Sequence, residues 1–123
     1  MKNVLIVEDS KAIRSMIRIA VEQLKGFFAV EAANGFEALK TLPTRPFHLI
    51  ITDINMPDIN GLELIGFVKS SPAYREIPLI IVSTEKSEED KKRGIALGAS
   101  GYIEKPFKQE ALITLIEDVI AGK

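Results

Sequence analysis

Short runs that are wholly or almost wholly apolar recur at residues 4–7, 47–51 and 79–82, too short for core helices and rich in β-branched side chains. Runs of this kind suit strands buried on both faces, as in a parallel sheet. Helical patterns lie between them. Residues 10–25 carry Ile13, Met16, Ile17, Ala20, Val21 and Leu24 at spacings of three and four, with Arg14 and Arg18 flanking the stripe and Gly26 closing it. Asn34 and Glu37 have capping-box spacing ahead of a helix that runs to Leu42 and stops at Pro43. Asn60 and Glu63 repeat that spacing before Leu62, Ile65 and Phe67, and Ser87 and Asp90 repeat it before a short polar helix at 88–97 closed by Gly98. Weaker strands fit 27–32, where Glu31 marks an edge, and 101–104; a last helix at 108–121 buries Leu112, Leu115, Ile116, Val119 and Ile120. Residues 71–78 fit a mobile linker.

Strand and helix therefore alternate five times, which predicts an α/β fold with a five-stranded parallel sheet and helices on both faces. Right-handed crossovers and a single switch point favour the strand order 2-1-3-4-5. The 123 residues suffice for one domain, 1–123, and leave no room for a second folded unit. Sixteen Lys and Arg balance 17 Asp and Glu, so there is little long-range attraction for nucleic acid or an anionic membrane. With no cysteine and a single histidine, a metal would have to be held by oxygen. The first apolar run is too short for a signal peptide or a membrane span, which implies a cytoplasmic protein without membrane insertion.

Ligands of open parallel sheets bind outside the carboxyl ends of the strands. That edge collects Glu8 and Asp9 after the first strand, Asp53 after the third, Ser83 and Thr84 after the fourth and Lys105 after the fifth. Each residue alone has a simpler reading as a turn acid, a cap or a surface lysine. Together, four strand ends carry the groups of one phosphoryl-transfer site. Three carboxylates repel one another, and Lys105 supplies only part of the counter-charge. Magnesium, which takes few protein oxygens, would complete it through Asp9, Asp53, a loop carbonyl and Glu8 by way of water. A carboxylate in such a site can itself be the nucleophile.

The motifs Val-Glu-Asp-Ser at 7–10, Thr-Asp-Ile-Asn-Met-Pro at 52–57, Asn-Gly-Leu-Glu-Leu at 60–64, Ser-Thr at 83–84, Gly-Ala-Ser-Gly-Tyr at 98–102 and Lys-Pro-Phe at 105–107 span the chain. In them the chain resembles the receiver domain of two-component response regulators, especially the stand-alone chemotaxis type, CheY. The resemblance implies a flavodoxin-like, CheY-like fold, and CheY is itself a standard example of the order 2-1-3-4-5. It implies a phosphorelay protein rather than an enzyme in the ordinary sense: Asp53 accepts a phosphoryl group from a histidine kinase and assists its own phosphorylation and dephosphorylation. Magnesium is then held by Glu8, Asp9, Asp53 and the Asn55 backbone carbonyl. Lys105 and Ser83 engage phosphoryl oxygens, and Ser83 with Tyr102 forms the switch, the ring filling space that Ser83 vacates as it is drawn to the phosphoryl group. The implied readout face is the helix at 88–97, the Tyr102 strand and the last helix of a monomer with no output domain. Arg14 and Arg18 are candidate contacts for the kinase, and a flagellar motor switch is one candidate target.

Glu8 stands where the family often has Asp, and Ser83 where it often has Thr. Asn55 and Glu85 occupy positions that tune acyl-phosphate hydrolysis in the family. The Lys105-Pro106 bond is cis in many relatives. A haloacid-dehalogenase-like phosphatase would need a titratable acid at Asn55, and a flavin carrier would need a phosphate loop where Glu8 and Asp9 stand. A receiver-like scaffold that binds partners without phosphorylation remains a rival reading. His48 reads as a strand-edge or surface residue, and Lys91, Lys92 and Arg93 as a solvated helix face.

Overall fold

A computed structural model describes residues 1–84 and 88–122. Its elements are β1 (Lys2–Val7), α1 (Lys11–Glu22), β2 (Phe27–Ala32), α2 (Gly35–Thr41), a 3-10 turn (Leu42–Thr44), β3 (Leu49–Asp53), α3 (Gly61–Ser70), β4 (Leu79–Thr84), α4 (Glu88–Leu97), β5 (Gly101–Lys105) and α5 (Gln109–Ile120). The five strands are parallel and ordered β2-β1-β3-β4-β5, as the alternation predicts. Glu31 lies on the edge strand β2.

Successive strand residues point to opposite faces. Leu5, Val7, Ile50, Leu79 and Ile81 accordingly pack with Ala38 of α2 and Leu64, Ile65 and Val68 of α3. Val4, Ile6, Leu49, Ile51, Ile80 and Val82 pack with Ile17, Ala20 and Val21 of α1 and Leu112, Ile116 and Val119 of α5. Two cores thus clamp one sheet. Register then aligns the strand ends, because Val7 pairs with Thr52, Asp53 with Val82 and Thr84 with Lys105.

Local structure departs from the sequence pattern in a few places. Helix α1 ends at Glu22 rather than Lys25, and Gly26, at φ +86°, serves the turn into β2 instead. Asn34 caps Glu37, but the Glu37 carboxylate reaches back to the Ala33 N–H, one residue before the cap. Pro43 lies inside the 3-10 turn that extends α2, where its missing N–H costs nothing. Asn60 and Glu63 form the full capping box. Leu64 and Val68 are buried on α3, whereas Phe67 is 45% exposed and rests 6.2 Å from the Tyr74 ring. Residues 71–78 form a tied turn: the Lys69 ammonium donates to the Arg75 and Ile77 carbonyls, and the Tyr74 N–H to the Ser71 carbonyl. Gly98, at φ +116°, follows α4 as expected, while the cap expected at Ser87 lies outside the described residues. His48 is exposed and joins β1 to the start of β3, its Nδ1 accepting from the Asn3 N–H at 3.1 Å.

Candidate functional site

At the carboxyl edge of the sheet, carboxylate oxygens of Glu8, Asp9 and Asp53 lie within 4.8 Å of one another. Asp53 is the last residue of β3 and 3% exposed, Glu8 directly follows β1 and is fully buried, and Asp9 is exposed. Lys105, ending β5, places its ammonium 2.9 Å from Glu8 Oε1 and 3.4 Å from Asp53 Oδ1. Lys105 thus faces two of the three carboxylates.

The backbone holds these acids in place. The Ser10 N–H donates to Glu8 Oε2 at 3.0 Å, and the Ser10 hydroxyl accepts from the Ile13 N–H to cap α1. The Asn55 N–H reaches Asp53 Oδ1 at 3.4 Å. Helix α3 starts against the same strand end, where the Gly61 N–H donates to the Ile54 carbonyl at 2.9 Å. A Cβ on Gly61 would overlap the Asp53 carbonyl oxygen and come within 2.7 Å of Ile54 Cα, so only glycine allows this approach.

Electrostatics follow from burial. Desolvation raises the Glu8 carboxyl above the ordinary carboxylate range, with Lys105 and the Ser10 N–H only partly opposing it. Desolvation likewise raises Asp53 against the pull of Lys105. Burial alone would lower Lys105, but Glu8 and Asp53 outweigh it and leave the ammonium more basic than usual. Glu8 Oε1 is buried with no aligned hydrogen bond, although it touches the Lys105 ammonium. Clustered hard oxygens, one of them short of donors, fit a divalent cation with oxygen preference. The chain therefore carries an acidic group able to hold a metal.

Ser83, fully buried near the end of β4, has two acceptors within reach of its single hydroxyl hydrogen: the Thr84 carbonyl at 3.3 Å and the Tyr102 hydroxyl at 3.2 Å. Tyr102 is half-buried against the core beneath α2 and α3. Its ring thus packs partly inward with Ser83 beside its hydroxyl. Glu85 lies outside the described residues.

Some neighbours carry no advance signal in the motifs. The Thr52 hydroxyl donates to the Asp53 carbonyl at 3.0 Å. Arg14 and Arg18, the candidate contacts for the kinase, both pair with Glu31 on β2, and Arg14 Nη1 also donates to the Glu8 carbonyl at 2.8 Å. Lys91 is half-buried with its ammonium 4.4 Å from the Tyr102 ring centroid, unlike exposed Lys92 and Arg93. No sequence pattern marks that contact. The Lys105-Pro106 peptide is cis.

Known proteins are similar to this chain. The family model described as the response regulator receiver domain matches residues 4–117. A chemotaxis protein CheY homolog from Campylobacter jejuni is 35% identical over 94% of this chain and 90% of its own length. The phosphate regulon transcriptional regulatory protein PhoB of Klebsiella pneumoniae is also 35% identical, but the chain spans only 52% of it. The solved structure of Vibrio cholerae CheY4 superposes with a TM-score of 0.88 at 37% identity, covering 97% of this chain and 98% of that one. With the family model covering nearly the whole chain and the fold and acidic edge in agreement, this protein belongs to the response regulator receiver domain family.

Proposed function

We propose that the chain is a magnesium-dependent phospho-acceptor switch of a two-component system, acting as a single domain, 1–123, in the cytoplasm. Asp53 is the acceptor. The observation that carries this reading is the position of Asp53 Oδ1, 3.4 Å from the Lys105 ammonium and clustered with the Glu8 and Asp9 carboxylates at the end of β3. An Asp53 oxygen attacks the phosphorus of a kinase phosphohistidine or a small phosphodonor; an O–P bond forms, and the donor bond breaks with its electron pair going to the donor atom. Glu8, Asp9, Asp53 and the Asn55 carbonyl would hold magnesium, which would supply positive charge to the phosphoryl oxygens.

Lys105 neutralises a second phosphoryl oxygen, and Ser83 donates its hydroxyl hydrogen to a third, leaving the Thr84 and Tyr102 oxygens. The space that Ser83 leaves lets the Tyr102 ring settle more deeply, which links the phosphoryl group to the surface of α4, β5 and α5. The output is protein contact by a monomer. Coverage of a CheY homolog nearly end to end supports a stand-alone role in chemotaxis or motility signalling, with a histidine kinase as donor and a flagellar motor switch as candidate target. Intact mass after incubation with acetyl phosphate tests the reading. One phosphoryl adduct that requires both magnesium and Asp53, and is missing in Asp53→Asn, is the expected result. An unmodified protein that also fails to bind magnesium would leave the scaffold reading in its place.

A further inference from the structure

Helix α4 has an unusually light hold on the sheet. Gly94 is its one buried residue, and a Cβ there would run into Ile81 Cδ1, so the helix backbone rests directly on β4 without an apolar side chain driven into the core. Ile95 and Leu97 are exposed. Against that background Lys91 stands out among the basic residues of α4, half-buried with its ammonium 4.4 Å from the Tyr102 ring centroid. The other end of the same ring is tied by its hydroxyl to Ser83 at 3.2 Å.

We infer that Lys91 is a positioning residue for Tyr102, its ammonium on the ring face holding the tyrosine inward before any phosphoryl group arrives. The inference rests on the phospho-acceptor reading for its consequence, though not for its geometry. A cation is attracted to the negative face of an aromatic ring, and that attraction is lost when the ring swings into solvent. For a half-exposed pair the attraction corresponds to a bias of about two- to five-fold towards the inward ring. A bias of that size shifts a two-state population without locking it. Lys91 thereby couples the placement of α4 to the state of Ser83, and the unphosphorylated chain carries a substantial share of the inward form.

Composition makes the test direct. The chain has two tyrosines and no tryptophan, so Tyr74→Phe leaves Tyr102 as the sole strong fluorophore while preserving the ring beside Phe67. Acrylamide quenching of Tyr102 is then compared in that background alone and with Lys91→Met, Lys91→Arg or Lys92→Met, each with and without magnesium and beryllofluoride as the phosphoryl mimic. Lys91→Met is expected to raise the quenchable, outward population about two- to five-fold, Lys91→Arg to restore it and Lys92→Met to leave it unchanged. Beryllofluoride is expected to reduce quenching in every variant. Quenching that is identical in Lys91→Met and its parent, while beryllofluoride still protects the ring, would overturn the inference and leave the switch intact. Protection by Lys91 with no response to beryllofluoride would instead remove the switch reading and retain the contact.

Discussion

The Lys105 ammonium lies nearer to Glu8, at 2.9 Å from Oε1, than to Asp53, at 3.4 Å from Oδ1. The residue that would meet the phosphoryl group is therefore already engaged by a buried acid. Removing one partner of a buried pair leaves an uncompensated charge, which is far more costly than the pair is stabilising. Lys105→Met is expected to destabilise the metal-free protein by about 3 kcal/mol in urea unfolding at neutral pH, at the low end for broken buried pairs because Lys105 is partly solvated. Adding Glu8→Gln to that variant should return most of the loss. Equal stability of the single and double variants would show that Glu8 is not the acid Lys105 neutralises.

Asp53 sets a pH dependence of definite sign. Burial first, opposed by Lys105, raises its carboxyl above the unfolded-state value. Its contribution to stability is then fully present below the unfolded pKa and lost as pH rises through the folded one. Asp53→Asn removes that loss, so in chelator its melting temperature should exceed that of the parent by a margin that grows from about pH 4 towards neutrality. Magnesium should close the gap by stabilising only the parent. A gap that shrinks with rising pH would mean that Lys105 dominates over burial.

The fold was legible because its signals are local and redundant. Residues 4–7, 49–51 and 79–82 are apolar on both sides of the chain, which leaves a doubly covered sheet as the economical answer, and Asn60 with Glu63 marks a helix start that the structure keeps in full. Glu8, Asp53, Ser83 and Lys105 could be gathered because strand ends in a parallel sheet share one edge. Pairings across elements were less legible. Arg14 and Arg18 sit on α1 at helical spacing in the sequence, and nothing local says that they turn to Glu31 on β2 rather than to solvent. Phe67 belongs in the core by its chemistry alone, yet its place on α3 points past the sheet, and Leu64 and Val68 fill that role. Tyr102 meets Ser83 of β4 and Lys91 of α4, contacts between elements that no periodicity encodes.

Two glycines of α3 should respond to the same substitution with opposite signs. Gly61 faces the Asp53 and Ile54 backbone, which cannot yield as a flexible side chain would, so Gly61→Ala should cost about 1–3 kcal/mol and displace the start of α3 from the acceptor strand. A lowered rate of Asp53 phosphorylation by acetyl phosphate should accompany it. A methyl group on Gly66 would meet nothing within 4 Å, and Gly66→Ala should stabilise by up to about 1 kcal/mol through the unfolded chain and helix propensity, with phosphorylation unchanged. Urea unfolding of both variants checks the pair, and a stabilised Gly61→Ala would mean that the helix start is free to shift.

Arg14 links an edge strand to the acid loop, since it pairs with Glu31 at 2.8 Å and donates to the Glu8 carbonyl at 2.8 Å. Burial would raise the Glu31 carboxyl, but the hydrogen bonds from Arg18 and Arg14 outweigh it and bring the carboxyl below its ordinary value. A depressed carboxyl stabilises the fold above its unfolded pKa and loses that contribution as pH falls through the folded value. Glu31→Gln should therefore lower the melting temperature at neutral pH and match the parent well below pH 4 or so, about where the free carboxyl titrates. Arg14→Ala should go further. It frees the Glu8 carbonyl beside Asp9, and groups that orient metal ligands carry about tenfold or more in affinity, so magnesium binding followed by calorimetry should weaken about tenfold in Arg14→Ala and much less in Glu31→Gln. Equal weakening in the two variants would place the effect in the Glu31 pair rather than in the bond to Glu8.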